Sequence, residues 1–142
     1  MGNYSIEHLR IVIVDDSVHM RRIVRSILRH FRCHEIFEAE DGATGLESIE
    51  LYTPNVLITD LKMPILDGFE LIKIVRGSDN MLISQIPIIV LSGQAEKEQV
   101  LNSQQAGATS FLRKPVAASA IIQHIVAATT EQPYRLKLSA TG

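Results

Sequence analysis

The chain has 142 residues, 46% hydrophobic and 21% charged, with a net charge of −2. That length suits one domain with a sizeable buried core. The near-balanced charge provides no global field for nucleic acid or an anionic membrane.

In chain order, RIVIVDD (10–16) is a β-branched run ending in acids, the pattern of a strand buried on both faces. Ser17 suits a helix cap, and VHMRRIVRSILRHF shows helical spacing through Met20, Ile23, Val24, Ile27, Leu28 and Phe31. HEIFEA (34–39) reads as a second strand, and Asp41–Gly42 opens a helix over Ala43, Leu46, Ile49 and Glu50. Pro54–Asn55 breaks it before the uncharged run of Val56, Leu57 and Ile58, a third strand that ends on Asp60. Asp67–Gly68 starts a helix through Phe69, Leu71, Ile72 and Val75, ended by Gly77–Ser78. IPIIVLS (86–92) is a fourth strand, AEKEQVLNSQQA a polar helix stopped by Gly107, and TSFL (109–112) a short fifth strand. Pro115 suits the first residue of a last helix, VAASAIIQHIVAA.

Five strands alternating with helices imply a parallel sheet covered on both faces. Ligands in such sheets bind beyond the carboxyl ends of the strands. Asp15 and Asp16 end the first strand, Asp60 the third and Ser92 the fourth, while Lys114 follows the fifth, so all fall on one rim. Two like charges 4 Å apart cost about 1 kcal/mol in water and about 4 kcal/mol at an effective dielectric near 20. A hard divalent cation relieves this repulsion, and carboxylates with a carbonyl and water suit Mg²⁺. Metal and Lys114 together would hold phosphoryl oxygens while Asp60 attacks phosphorus to form an acyl phosphate, and Ser92 would donate a hydrogen bond to the new phosphoryl group.

IVIVDDS with MRR after it, ITDLKMPILDG, IVLSG and FLRKP together resemble the response-regulator receiver domains of the chemotaxis CheY type, over residues 9–129. The resemblance implies a doubly wound five-stranded sheet of flavodoxin-like order 2-1-3-4-5. It implies a single-domain signalling module of the two-component system rather than an ordinary enzyme. Its metal site maps to Asp15, chiefly Asp16, Asp60 and the backbone carbonyl of Lys62. Asp60 maps to the phosphoacceptor, served by a histidine kinase or histidine phosphotransfer protein, and a downstream output protein is the implied second partner. Ser92 maps to the hydroxyl and Phe111 to a mobile switch aromatic. Lys62 and Gln94 map to the positions flanking the phosphoryl group, where fast members of the family carry Asn and an acid.

Plainer roles exist for each group. Asp15 and Asp16 suit a helix-capping acid pair, Asp60 a turn before Pro64, Ser92 a helix cap, Lys114 a solvated lysine and Phe111 a core aromatic. Arg21, Arg25, Arg29 and Arg32 share one helix face by spacing, which fits either a solvated face or a dock for an acidic phosphotransfer partner. The last helix has one apolar stripe for the core (Ile121, Ile125, Ala128) and a second (Ala118, Ile122, Val126) that suits either a homodimer or output contact or a wider buried face. Residues 1–8 and 130–142 are expected to flank the domain. The alternation Tyr134, Leu136, Leu138 fits either a flexible tail or a strand added to a sheet edge.

The lone Cys33 excludes an internal disulfide and is expected as a buried thiol in a reducing cytoplasm. MGNYSIEHLR lacks a signal-peptide core, no run reaches membrane-spanning length, and no DNA-binding output module is expected after the matched stretch. Two other functions fit the sequence less well. A metal-dependent aspartyl phosphatase needs a second acid two residues after the nucleophile, where Lys62 stands. A flavodoxin-like cofactor binder needs a phosphate-cradling loop where this chain has DDSVH.

Overall fold

The computed structural model describes residues 5–94 and 96–130. The elements in chain order are β1 (Arg10–Val14), α1 (Val18–His30), β2 (Glu35–Ala39), α2 (Gly42–Tyr52), β3 (Val56–Thr59) and α3 (Gly68–Arg76). They continue with α4 (Met81–Ser84), β4 (Ile88–Ser92), α5 (Lys97–Ala106), β5 (Ser110–Arg113) and α6 (Ala118–Thr130). All strand pairs are parallel and the order is β2-β1-β3-β4-β5.

The period-2 alternation of the strands divides the core into two layers. Ile11 and Ile13 of β1, Val56 and Ile58 of β3, and Ile89 and Leu91 of β4 meet Val24 and Leu28 of α1 and Ile121 and Ile125 of α6. The intervening Val12, Val14, Leu57, Ile88 and Val90 meet Ile49 of α2, Leu71, Ile72 and Val75 of α3, and Ile83 of α4. Each fully buried side chain of this size contributes about 1.5–3 kcal/mol. Because α1 and α3 cover opposite faces, the chain leaves β1 and β3 in opposite directions. A crevice opens where the strand order reverses, at the carboxyl ends of these two strands.

Helix starts follow the side chains that satisfy their free N–H groups. Ser17 accepts from the Met20 N–H, Asp41 from Thr44, and Asp67 with Glu70 forms a reciprocal capping box at α3. Cys33 is buried and its thiol donates to the Leu9 carbonyl. Ile6, in the stretch expected to flank the domain, is buried in the α1/α6 layer; a turn carries it back, with the Leu9 N–H donating to the Ile6 carbonyl.

The structure departs from the sequence expectations in several places. Helix α4 has no counterpart among the expected elements, since four residues capped by Asn80 are too short to register a 3.6-residue period. It displaces the start of β4 to Ile88. Pro115 does not lead the last helix: it follows a cis peptide bond and α6 begins at Ala118, while Val116 packs on the core before the helix starts. Ile122 and Val126 are half-buried against the same core as Ile121 and Ile125 while Ala118 is exposed, so the second stripe packs in part on the core and in part faces outward. The alternating segment 134–138 lies outside the described residues.

Ile65, in the loop between β3 and α3, has φ of 70° and is 81% exposed. A β-branched residue in the left-handed region is strained, at a cost of roughly 1–3 kcal/mol, and here little burial offsets it. Ile65→Gly should therefore raise the unfolding free energy by about 1 kcal/mol, because glycine has no Cβ to strain this turn. Urea denaturation measures it, and a loss of stability refutes the strain.

Candidate functional site

The rim is built from the first residues beyond three strands. The Asp15 N–H donates to the Ala39 carbonyl and the Asp60 N–H to the Val14 carbonyl, so both acids continue the ladder by one bond. Their side chains are then turned by local donors. Asp15 Oδ1 accepts from the Ser17 N–H at 2.9 Å, and Asp60 Oδ1 accepts from the Leu61 N–H at 2.7 Å. Lys114 is fixed by its own N–H donating to the Ser92 carbonyl at 2.9 Å. Its ammonium bridges the two acids, donating to Asp15 Oδ2 at 2.9 Å and Asp60 Oδ2 at 3.2 Å.

Asp15, Asp16 and Asp60 each bring a carboxylate oxygen to within 4.8 Å of the others. Asp15 is buried, Asp60 half-buried and Asp16 exposed, so the cluster opens to solvent on one side. Burial pushes the Lys114 ammonium toward neutrality, but the hydrogen bond and charge of Asp15, followed by those of Asp60, outweigh it and raise its pKa. One ammonium against three carboxylates leaves the cluster net negative. The donor set is all hard oxygen, which fits Mg²⁺ and disfavours softer metals.

Ser92 is buried at the end of β4, where its Oγ accepts from the Gln94 N–H at 3.1 Å. It does not cap α5, whose N-cap is Glu96 without a side-chain cap bond. Among the described residues nothing accepts the Ser92 hydroxyl proton. Phe111 is half-buried and packs against the α2/α3 layer of the core. Lys62 is exposed, in the loop after Asp60. Gln94 is exposed too, and its side-chain oxygen accepts from Gln99 Nε2 at 2.8 Å.

The arginine face of α1 is not one uniform surface. Arg21 and Arg25 both pair with Glu38 of β2, and Arg21 Nη1 also donates to the Asp15 carbonyl at 2.6 Å. Burial pushes the Glu38 carboxyl up, but its hydrogen bonds to Arg25 and Arg21 prevail and hold it below the usual carboxylate range. Arg32 lies beyond the helix with φ of 68°. Sequence spacing missed the Glu38 pairing because it joins different elements. The close backbone approaches at Gly42 and Gly68, where a Cβ would lie 2.2 Å from the Leu66 oxygen and 2.1 Å from the Asp60 oxygen, were also hidden, since each reads in sequence only as part of a helix-starting Asp–Gly pair.

Fold and rim together define a doubly wound α/β protein whose charged groups converge at the switch point of its sheet. Residues 11–126 match the family model described as the response regulator receiver domain. The chemotaxis protein CheY-3 of Vibrio cholerae is 31% identical over 115 residues, 81% of this chain and 87% of that protein. The structure of Vibrio cholerae CheY4 superposes with a TM-score of 0.76 at 28% identity, over 84% of this chain and 97% of that one. The receiver domain of the sensor histidine kinase PA1611 from Pseudomonas aeruginosa, solved with magnesium coordinated in its active-site cleft, shares the fold with a TM-score of 0.79 at 23% identity, over 87% and 98% of the two chains. The chain belongs to the response regulator receiver domain family, the CheY-like modules of two-component signal transduction. No helix among the described residues is long and apolar enough to cross a membrane.

Proposed function

We propose that this receiver domain takes a phosphoryl group onto Asp60 from a histidine kinase or histidine phosphotransfer protein in the cytoplasm, and changes its affinity for an output protein as a result. The observation that supports it is the convergence of Asp15, Asp16 and Asp60 within 4.8 Å, with Lys114 bridging two of them. Asp15, Asp16, Asp60 and the Lys62 carbonyl would hold Mg²⁺, which when bound neutralises charge on the transferring group. A carboxylate oxygen of Asp60 attacks phosphorus while the bond to the donor's leaving group breaks, giving an acyl phosphate. The Leu61 N–H holds the other oxygen and fixes the carboxylate's rotation. Lys114 follows the charge from Asp60 to the new phosphoryl oxygens, and the Ser92 hydroxyl donates a hydrogen bond to them. Phe111, packed beside the sheet, would respond to that movement as the switch residue. Incubation with Mg²⁺ and acetyl phosphate, followed by intact mass, tests this: one added phosphoryl group is expected, and none in excess EDTA. An unmodified mass with Mg²⁺ present defeats the proposal.

Lys62 and Gln94 set how long that group lasts. Hydrolysis needs a water in line with the bond to Asp60. The exposed Lys62 cation pairs with phosphoryl oxygens and occupies the water's approach, while the Gln94 oxygen is held by Gln99. Lys62→Asn with Gln94→Glu should shorten the phosphorylated state several-fold, roughly 1 kcal/mol in barrier. Phosphate release timed after donor removal is the measurement, and an unchanged or slower rate removes the blocking role.

A further inference from the structure

The loop that carries Lys62 is braced from outside the site, by the first turn of α2. The Gly42 N–H donates to the Leu66 carbonyl at 3.0 Å. A Cβ at position 42 would lie 2.2 Å from the Leu66 oxygen and 2.8 Å from its carbonyl carbon. Those are backbone atoms, so no side-chain rotation can clear the space. The Leu66 N–H in turn donates to the Pro64 carbonyl at 2.8 Å, which makes 64–66 a tight turn. At the loop's far end the Gly68 N–H donates to the Leu61 carbonyl at 2.9 Å, and a Cβ there would lie 2.1 Å from the Asp60 carbonyl oxygen. The loop is therefore closed at its base and pressed at its apex. Helix α2 cannot retreat from it easily: Ile49 is fully buried, and a Cβ at Gly45 would already lie 2.7 Å from Val14 Cγ2 of β1.

We infer that Gly42 is a positioning residue for the metal site, holding the Lys62 carbonyl in place through Leu66. The inference rests on the Mg²⁺ site proposed above. Mg²⁺ demands near-ideal octahedral geometry, so a displaced carbonyl loses affinity although all three carboxylates remain. Supports of this kind typically contribute about 10–100-fold in metal affinity. Gly107 is the internal control: a Cβ there would lie 2.8 Å from Arg76 Cγ, at the end of the sheet opposite the rim.

Calorimetric titration with MgCl₂ of the wild type, Gly42→Ala and Gly107→Ala provides the test. The expected result is Mg²⁺ affinity weakened about tenfold or more in Gly42→Ala. Gly107→Ala should bind like the wild type, whatever it loses in melting temperature. No Mg²⁺ binding by the wild type would sink the metal site itself. Binding by the wild type with Gly42→Ala within twofold of it, or with Gly107→Ala equally weakened, overturns the role of Gly42. Should Gly42→Ala fail to fold, amide hydrogen exchange of the wild type decides. Saturating Mg²⁺ should slow exchange of the Gly42 N–H more than that of Gly107, because coupling between the two sites is reciprocal. Equal slowing of the two amides overturns the inference.

Discussion

Asp60→Asn is expected to abolish phosphorylation by acetyl phosphate completely while leaving the fold intact. The amide is neither a nucleophile nor an anionic ligand. Its effect on stability should be small, because opposing interactions nearly cancel. At an effective dielectric near 20, attraction to Lys114 at 3.2 Å is worth about 5 kcal/mol, and each repulsion within 4.8 Å at least about 3.5 kcal/mol. Two repulsions therefore at least offset the one attraction before solvent screening. The metal-free melting temperature should therefore not fall by more than a few degrees. Mg²⁺ separates the two proteins more clearly, since a ligand that binds the folded state raises its stability in proportion to the logarithm of its concentration. The wild type should gain melting temperature with added MgCl₂ and the variant should gain less. Intact mass after acetyl phosphate treatment and a melting series in MgCl₂ check both parts. Stoichiometric labelling of Asp60→Asn would falsify the assignment of the phosphoacceptor.

Much of this rim was legible because the signals were local. Runs such as Ile11–Val14 and Ile88–Leu91 identify strands buried on both faces, and each run stops just where a charged or hydroxyl group stands. In a parallel sheet every strand end falls on the same edge, so Asp15, Asp60, Ser92 and Lys114 could be brought together from chain order alone. What stayed hidden depends on contacts between distant segments. Glu38 reads as an unremarkable strand residue until the sheet sets it beside Arg21 and Arg25. Gly42 and Gly68 are marked by what they nearly touch, the carbonyls of Leu66 and Asp60, and no periodicity reports a close approach of backbones. The last helix left a choice open for a related reason. Its second apolar stripe fitted either a partner contact or a wider buried face, and only the packing shows Ile122 and Val126 sharing the core with Ile121 and Ile125 while Ala118 stays exposed.

Arg76 produces the largest expected loss of stability, and in sequence it looks like a routine basic residue in the last turn of α3. Its guanidinium is directed inward at the end of the sheet opposite the rim. Nε donates to the Gly107 carbonyl at 2.9 Å, and Nη1 to the Ser84 and Ile86 carbonyls at 2.9 and 2.6 Å. One side chain thus ties together the end of α4, the approach to β4 and the turn after α5. Burial lowers its pKa, and carbonyl oxygens rather than a carboxylate compensate the charge. Hydrogen bonds to a charged donor are worth roughly 1.5–3 kcal/mol each, and the acceptors left behind have little water to replace it. Partial relaxation of the loops would recover some of that. Arg76→Met keeps most of the stem's volume and should still lose about 3 kcal/mol. For a domain of this size that is a fall in melting temperature of about 10 °C. Arg76→Lys should recover only part of the loss, because a single ammonium cannot reproduce the planar fork that serves three carbonyls. Both variants should take up phosphate on Asp60 at the wild-type rate where they are folded, since the bracket lies at the far end of the sheet. Urea denaturation with an unchanged m-value measures the loss. A cost below about 1 kcal/mol in Arg76→Met would show that solvent takes over the three carbonyls, and that α4 and the α5–β5 turn hold their places without the guanidinium.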